Sequence, residues 1–174
     1  MAGRGVELLE DGFGRIREGV HEVLAGLGEK ELTARPDPGA NSIGWLVWHL
    51  TRVQDDHVAD VAGRPQVWTE QGFHERFGLP YPAADHGFGH SAKQVGQFGG
   101  VSAELLTEYH DAVHEQTVRY LGEVLDADFD RVVDENWDPP VTLAVRLVSV
   151  LADDLQHVGQ AAYVRGFLER GGQG

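Results

Sequence analysis

Asp153 and His157 stand four residues apart in a segment that is otherwise rich in valine and leucine. On a helix this spacing puts a carboxylate oxygen and an imidazole nitrogen on one face, where both can bind the same cation. The two residues belong to a line of polar side chains along this helix face. Because buried polar groups need partners, this line predicts a cavity or ligand site. The alternative is a solvated helix face on which the two residues form a surface pair. The line consists of Thr142, Arg146, Ser149, Asp153, His157 and Gln160.

A third ligand is available in His49, which lies among Trp45, Trp48 and aliphatic residues. Taken alone, a histidine in such apolar surroundings is typical of a hydrogen-bonded core residue. Together with Asp153 and His157, however, it completes a set of two histidines and one carboxylate. Such a set leaves coordination positions open and suits Zn²⁺, Fe²⁺ or Ni²⁺ in a catalytic role.

The other histidines are expected to have different roles. His110 and His114 also stand four residues apart, but their acidic neighbours indicate the solvated flank of a helix. His57 follows two aspartates and is expected beside the metal ligands or in the core. We expect helix surface for His21 and polar loop surface for His74, His86 and His90, with substrate contact as the alternative for the last three.

The composition excludes several classes of function. The chain has 174 residues, with 28 acidic against 14 basic side chains and a formal net charge of −14. This length predicts a single domain over residues 1–174. The charge disfavours nucleic acid and anionic membranes as partners. The absence of cysteine removes any thiol nucleophile and thiolate metal site of the chain's own.

The elements that must position these residues follow from hydrophobic periodicity. Apolar residues recur every three or four positions and predict helices over residues 6–27, 42–62, 102–124 and 141–168. The last is apolar almost all round, so we expect it in the middle of a bundle. The stretch 63–100, called here the crossover segment, is rich in glycine and aromatics and predicts an ordered wall. The expected fold is an all-α four-helix bundle whose middle pair can run parallel.

Other signals are negative. Gly87 and Gly89 lack the preceding strand and third glycine of a dinucleotide-binding loop, so they indicate a turn. Neither a Walker loop nor a serine elbow occurs. No run resembles a signal peptide or a membrane span, so we expect a cytoplasmic protein.

Two stretches carry a resemblance to a known family. Residues 41–57, from Asn41 through Trp45, His49 and Arg52, and residues 137–160, which contain Asp153 and His157, resemble the DinB-like superfamily. Within it they are most similar to the actinobacterial mycothiol S-transferases, relatives of mycothiol-dependent maleylpyruvate isomerase. The similarity covers nearly the whole chain, from residue 9 to 168. The resemblance implies a four-helix bundle that holds a divalent metal, often zinc.

The matching metal ligands are His49, Asp153 and His157, with Asp153 where many members carry histidine. The implied reaction uses mycothiol, a low-molecular-weight thiol, as cosubstrate, whose metal-held thiolate attacks a small electrophile in a detoxification reaction. Arg52 and Arg146 are candidate thiol-binding residues by position, and a homodimer is implied as possible. A metal-dependent hydrolase or isomerase with the same ligands, and a non-catalytic metal-binding stress protein, are the alternatives.

Overall fold

Helices form most of the part of the chain that the computed structural model describes, residues 3–171. A 3₁₀ turn (Asp126–Asp130) and a small antiparallel ribbon of β1 (Val132–Asp134) and β2 (Val141–Thr142) precede the last helix. The predicted all-α bundle of DinB-like type is confirmed. The helices are α1 (Arg4–Leu24), α2 (Glu29–Thr33), α3 (Ile43–Ala62), α4 (Val67–Glu70), α5 (Phe73–Phe77), α6 (Ala92–Val95), α7 (Ala103–Leu121) and α8 (Leu143–Glu169).

Hydroxyl residues cap the starts of three long helices. The side chains of Ser42, Ser102 and Thr142 accept hydrogen bonds from backbone N–H groups three residues further on, at 3.3, 3.2 and 3.4 Å. The first two caps agree with the predicted starts of α3 and α7. The start of α8 differs from the prediction by two residues, because Val141 pairs in β2 and Thr142 serves as the cap rather than as part of the helical polar line.

Other parts of the helix prediction also differ from the structure: α1 begins at Arg4 rather than at residue 6, and α7 ends at Leu121 rather than at residue 124. The helix α1 ends at Leu24 rather than at residue 27, since Gly26 adopts a left-handed conformation with φ 74°. The connection 28–41 contains the short helix α2, although its prolines favour helix termination.

Side-chain contacts fix the helix directions. Thr51 contacts His110 and Gln54 contacts Thr117, so α3 and α7 run parallel, as the sequence allowed. The α8 helix runs antiparallel to α3, because His49 contacts His157, whereas His57, further along α3, contacts Arg146 near the start of α8. A parallel pair needs a connection that returns along the whole bundle. The crossover segment makes that return.

The crossover segment is ordered and adds its own apolar cluster to the bundle core. Five of its six aromatic residues are buried: Trp68, Phe73, Phe77, Tyr81 and Phe98. The sixth, Phe88, is 84 % exposed. The predicted ordered wall therefore exists and carries three short helices.

The expectation that α8 lies in the middle of the bundle is wrong for one of its faces. The inner stripe, which includes Leu147 and Val150, is buried. The opposite face is not covered by another helix in residues 3–171, and it exposes Val148, Leu155 and Tyr163. The apolar residues around the circumference of α8 are therefore not all buried. No helix in the described part of the chain is both long and apolar enough to cross a bilayer.

Candidate metal centre

Three side chains from two antiparallel helices converge at one point. His49 lies on α3, and Asp153 and His157 lie one turn apart on α8. One potential ligand atom from each residue lies within 4.8 Å of the other two. Nε2 of His157 is 3.5 Å from Oδ1 of Asp153, close to the roughly 3.4 Å that separates two ligands on a tetrahedral zinc ion. The structure thus brings together the three ligands that the sequence predicts.

Both histidines are oriented by a hydrogen bond on the far side of the ring. His49 Nδ1 donates to the backbone carbonyl of His86. His157 Nδ1 donates to Oε1 of Gln160 at 2.9 Å. These bonds place the proton on Nδ1 and leave the Nε2 lone pair free, which is how metal-binding histidines are held. Oδ2 of Asp153 is buried without a hydrogen-bond partner. The donor set therefore fits a divalent metal.

The ring of His49 is enclosed by aromatic and backbone atoms. Its side chain is stacked on Trp45, with ring centroids 4.8 Å apart and planes inclined by 15°. The crossover segment covers the other side at Gly87, whose φ is 88°. A Cβ atom on Gly87 would lie 2.9 Å from His49 Nδ1 and 2.9 Å from Trp48. Only glycine allows the backbone to approach this ligand so closely.

Arg52 holds this part of the crossover segment in place. Its Nε donates to the carbonyl of Asp85 at 3.1 Å, and its Nη2 donates to the carbonyl of Ala83 at 3.4 Å. The guanidinium is fully buried and forms an ion pair with Asp55 at 3.7 Å. The expectation that Arg52 binds the thiol disagrees with this burial, because all of these contacts are inside the protein. Arg52 instead supports the segment that carries the His86 carbonyl.

A second bond network secures the same turn. Oδ2 of Asp85 lies 2.8 Å from Nε2 of His90, and Trp45 Nε1 donates to His90 Nδ1 at 3.2 Å. The side chain of His90 is only 3 % exposed, so its expected place on the loop surface is wrong. The backbone N–H of Gly87 donates to Oδ1 of Asp85 at 2.8 Å. The turn from Asp85 to His90 is thereby fixed against α3.

The ionisation states suit metal binding. Burial lowers the pKa of His49 to about 4, although its bond to the His86 carbonyl acts in the opposite direction. Burial also disfavours the charged form of His157, but hydrogen bonds to Asp153 and Gln160 outweigh it and raise the pKa of this residue. The hydrogen bond to His157 lowers the pKa of the Asp153 carboxyl. The site therefore presents a neutral His49 and an ionised Asp153 at neutral pH.

A pocket of about 530 Å³ opens beside the three ligands, and His49 and Asp153 form part of its lining. Four segments contribute to it: α3, the turn from Asp85 to His90 (called here the crossover turn), the β ribbon with its connecting turn, and the first turns of α8. Its apolar lining includes Val53, Phe88, Trp137, Val141, Val145 and Val150.

Arg146 lies in this pocket, as the polar line on α8 predicts. Its Nη2 donates to Oδ2 of Asp134 and its Nη1 donates to Nδ1 of His57, both at 3.0 Å. Burial and the neighbouring guanidinium lower the pKa of His57, so it accepts this bond as a neutral ring. His57 and Arg146 also line a second pocket of about 650 Å³. This second pocket includes Asp56, Asp60, Arg64 and Gln66.

The structure corrects the expectation for His110 and adds a role for His86. His110 is completely buried, and its Nδ1 lies 3.0 Å from Oγ1 of Thr51. The solvated flank predicted for it is wrong, and its helical spacing with Leu106 and Val113 was the available signal. His86 contributes a backbone carbonyl to the site, for which no sequence signal exists. The pocket roles of Asp134 and Trp137 were also missed.

Comparisons with known proteins give a family match and a similar fold. The model of the family described as mycothiol-S-transferase matches residues 8–169. A crystal structure described as the conserved protein of a locus from Enterococcus faecalis is similar to the chain with a TM-score of 0.86. The two sequences are 31 % identical, and the match covers 91 % of this chain and 94 % of that one. No curated protein matches significantly.

Proposed function

The chain belongs to the mycothiol-S-transferase family, and from this premise we propose that it is a divalent-metal-dependent transferase that joins a low-molecular-weight thiol to a small electrophile. We propose mycothiol as the thiol and zinc as the metal. The observation that carries the proposal is the convergence of His49, Asp153 and His157 at the wall of a pocket. The three ligands leave coordination positions open toward bound molecules, as in catalytic rather than structural zinc sites.

The chain's own residues have defined tasks in this reaction. His49 and His157 supply neutral nitrogen ligands, and Asp153 supplies the anionic one. These three residues would hold a divalent metal, which would lower the pKa of a bound thiol and so favour its nucleophilic thiolate form at neutral pH. Trp45 of α3 and the crossover turn at Gly87 cover the ring of His49 and exclude water from that side of the site.

We assign the polar remainder of the thiol to the second pocket. Arg146 and His57 stand between the two pockets, so a molecule whose sulfur reaches the metal can extend past them. Asp60 offers carboxylate oxygens for hydroxyl partners there, whereas the amide of Gln66 is already bonded to Arg52 and Asp56. Arg146 is the thiol-binding arginine in this arrangement, and Arg52 is not.

Metal analysis and a thiol panel test the proposal. The purified protein should contain zinc and conjugate bromobimane with mycothiol faster than with bacillithiol or glutathione. His157→Ala should lose metal affinity by more than the roughly 10–100-fold that loss of an outer hydrogen bond costs, and lose the thiol-dependent rate with it. His21→Ala, on the surface of α1, is the matched control and should keep both.

Two results would contradict the proposal. One is a protein that conjugates mycothiol at an undiminished rate after His157→Ala or after its metal has been removed. The other is hydrolysis of esters or amides without added thiol, which would support the hydrolase alternative.

A further inference from the structure

The pocket beside the metal ligands has one strongly apolar side. It is formed by Phe88, Trp137, Val141 and Val145, called here the apolar wall. Phe88 is 84 % exposed and Trp137 is 66 % exposed. The two aromatic residues come from different connections, the crossover turn and the β1–β2 turn, yet both line the same pocket. Exposed apolar surface that lines a concave site is a common sign of ligand binding.

The charges of this pocket are balanced. Arg146 is the only lysine or arginine in its lining within residues 3–171. That guanidinium is already paired with Asp134 at 3.0 Å and also donates to the neutral His57. The lining also contains the carboxylates of Asp134 and Asp153. The His86 ring is in the lining as well, and its Nδ1 accepts a hydrogen bond from the backbone N–H of Phe88 at 3.4 Å. Together with a thiolate, Asp153 offsets both charges of a divalent metal. An anionic second substrate therefore finds no free cation in the pocket.

Resting on the proposed function, we propose that the apolar wall binds the electrophile and selects uncharged aromatic compounds. Aromatic rings gain from contact with Phe88 and Trp137, while a carboxylate on the same ring would lose hydration without a counter-ion. With benzyl chloride, the thiolate sulfur forms a bond to the benzylic carbon as the carbon–chlorine bond breaks. Chloride leaves with the electron pair, and the thiol proton passes to solvent.

A matched pair of electrophiles tests the charge selection. Benzyl chloride and 4-(chloromethyl)benzoate react at the same benzylic carbon and differ in one carboxylate. After each rate is divided by its uncatalysed rate with the same thiol, the zinc-loaded protein should favour benzyl chloride by at least about tenfold in kcat/KM. Equal values, or a preference for the benzoate, would overturn the proposal.

Variants of the wall test the location. Trp137→Ala should raise the KM for benzyl chloride by up to about tenfold, the size expected from losing aromatic contact, with the KM for mycothiol unchanged. Trp137→Phe should retain most of the affinity. Leu8→Ala, which removes an exposed leucine on α1 outside the pocket, is the control. An unchanged KM in Trp137→Ala would place the electrophile elsewhere.

A binding measurement separates this proposal from the proposed function. Toluene is unreactive, so it can be titrated into the zinc-loaded protein without thiol. It should shift the NMR signal of the Trp137 indole N–H, which is identified by its absence in Trp137→Phe. A shift in a protein that conjugates no thiol would refute the transferase and keep the aromatic site. Conjugation of the thiol without a shift of the Trp137 signal would support the transferase and refute the aromatic site.

Discussion

Gly87 sets the distance between the crossover turn and the ring of His49, a proposed metal ligand. We expect Gly87→Ala to weaken zinc binding by roughly 10–100-fold, because the new Cβ would displace the turn that carries the His86 carbonyl. Backbone strain at φ 88° should also cost about 1–3 kcal/mol of stability. Competition with a chromogenic chelator measures the affinity, and urea unfolding measures the stability.

Gly89→Ala is the control for strain alone. Gly89 also has a positive φ, 77°, but a Cβ there would meet nothing within 4 Å. Its variant should show a similar loss of stability and normal zinc affinity. If the two variants bound zinc equally well, close packing on His49 would have no part in metal binding.

The convergence of His49, Asp153 and His157 was predictable from the sequence, whereas the groups that support these side chains were not. The spacing of Asp153 and His157 is a local helical signal, and His49 was the suitable partner on another predicted helix. The His86 carbonyl carries no residue-type signal, because every residue has one. Its place is decided by tertiary packing of a glycine-rich connection, for which hydrophobic periodicity gives no information.

At the scale of elements, Arg52 joins α3 to the crossover segment. Arg52→Met keeps the approximate length of the side chain, but it leaves Asp55 buried without its counter-ion. We expect a loss of about 3–5 kcal/mol in the free energy of unfolding, the cost of breaking a buried ion pair on one side. Urea denaturation measures this change. Arg15→Met, at an exposed position on α1, should change little.

The same variant decides between two roles for Arg52. As a structural residue, it should affect stability and zinc affinity, while the folded fraction keeps its KM for the thiol. A raised KM for mycothiol with unchanged stability would restore the thiol-binding role that sequence position favoured.

The helix positions were predictable because each long helix has a continuous apolar stripe. The contacts of a buried arginine were not, since arginine is usually an exposed residue.

At the scale of the whole molecule, the bundle core contains a titratable ring. Burial lowers the pKa of His110 to about 3. Between the ordinary histidine value near 6.5 and this value, the unfolded chain binds a proton that the folded protein does not. The contribution of neutral His110 to the free energy of unfolding is therefore fully present above about pH 6.5. It is lost as the pH falls, by up to about 1.4 kcal/mol per pH unit.

His110→Asn tests this linkage, because its amide can still donate toward Thr51 without titrating. The variant should be less stable at pH 7.5, but its free energy of unfolding should fall less steeply between pH 6.5 and 4.5. The comparison isolates His110 from Arg17, His21, Asp111 and His114, the charged or titratable groups around it. Urea unfolding at four pH values gives the slopes. Parallel slopes in the two proteins would show that His110 does not contribute.

Position 86 combines two contributions that mutation can separate. Its carbonyl holds the ring of His49, a proposed metal ligand, and its side chain lines the pocket beside that ring. A substitution at residue 86 changes the side chain but keeps the backbone carbonyl. Residue 86 can therefore be substituted so that the shape of the pocket changes while the backbone bond that orients His49 stays in place.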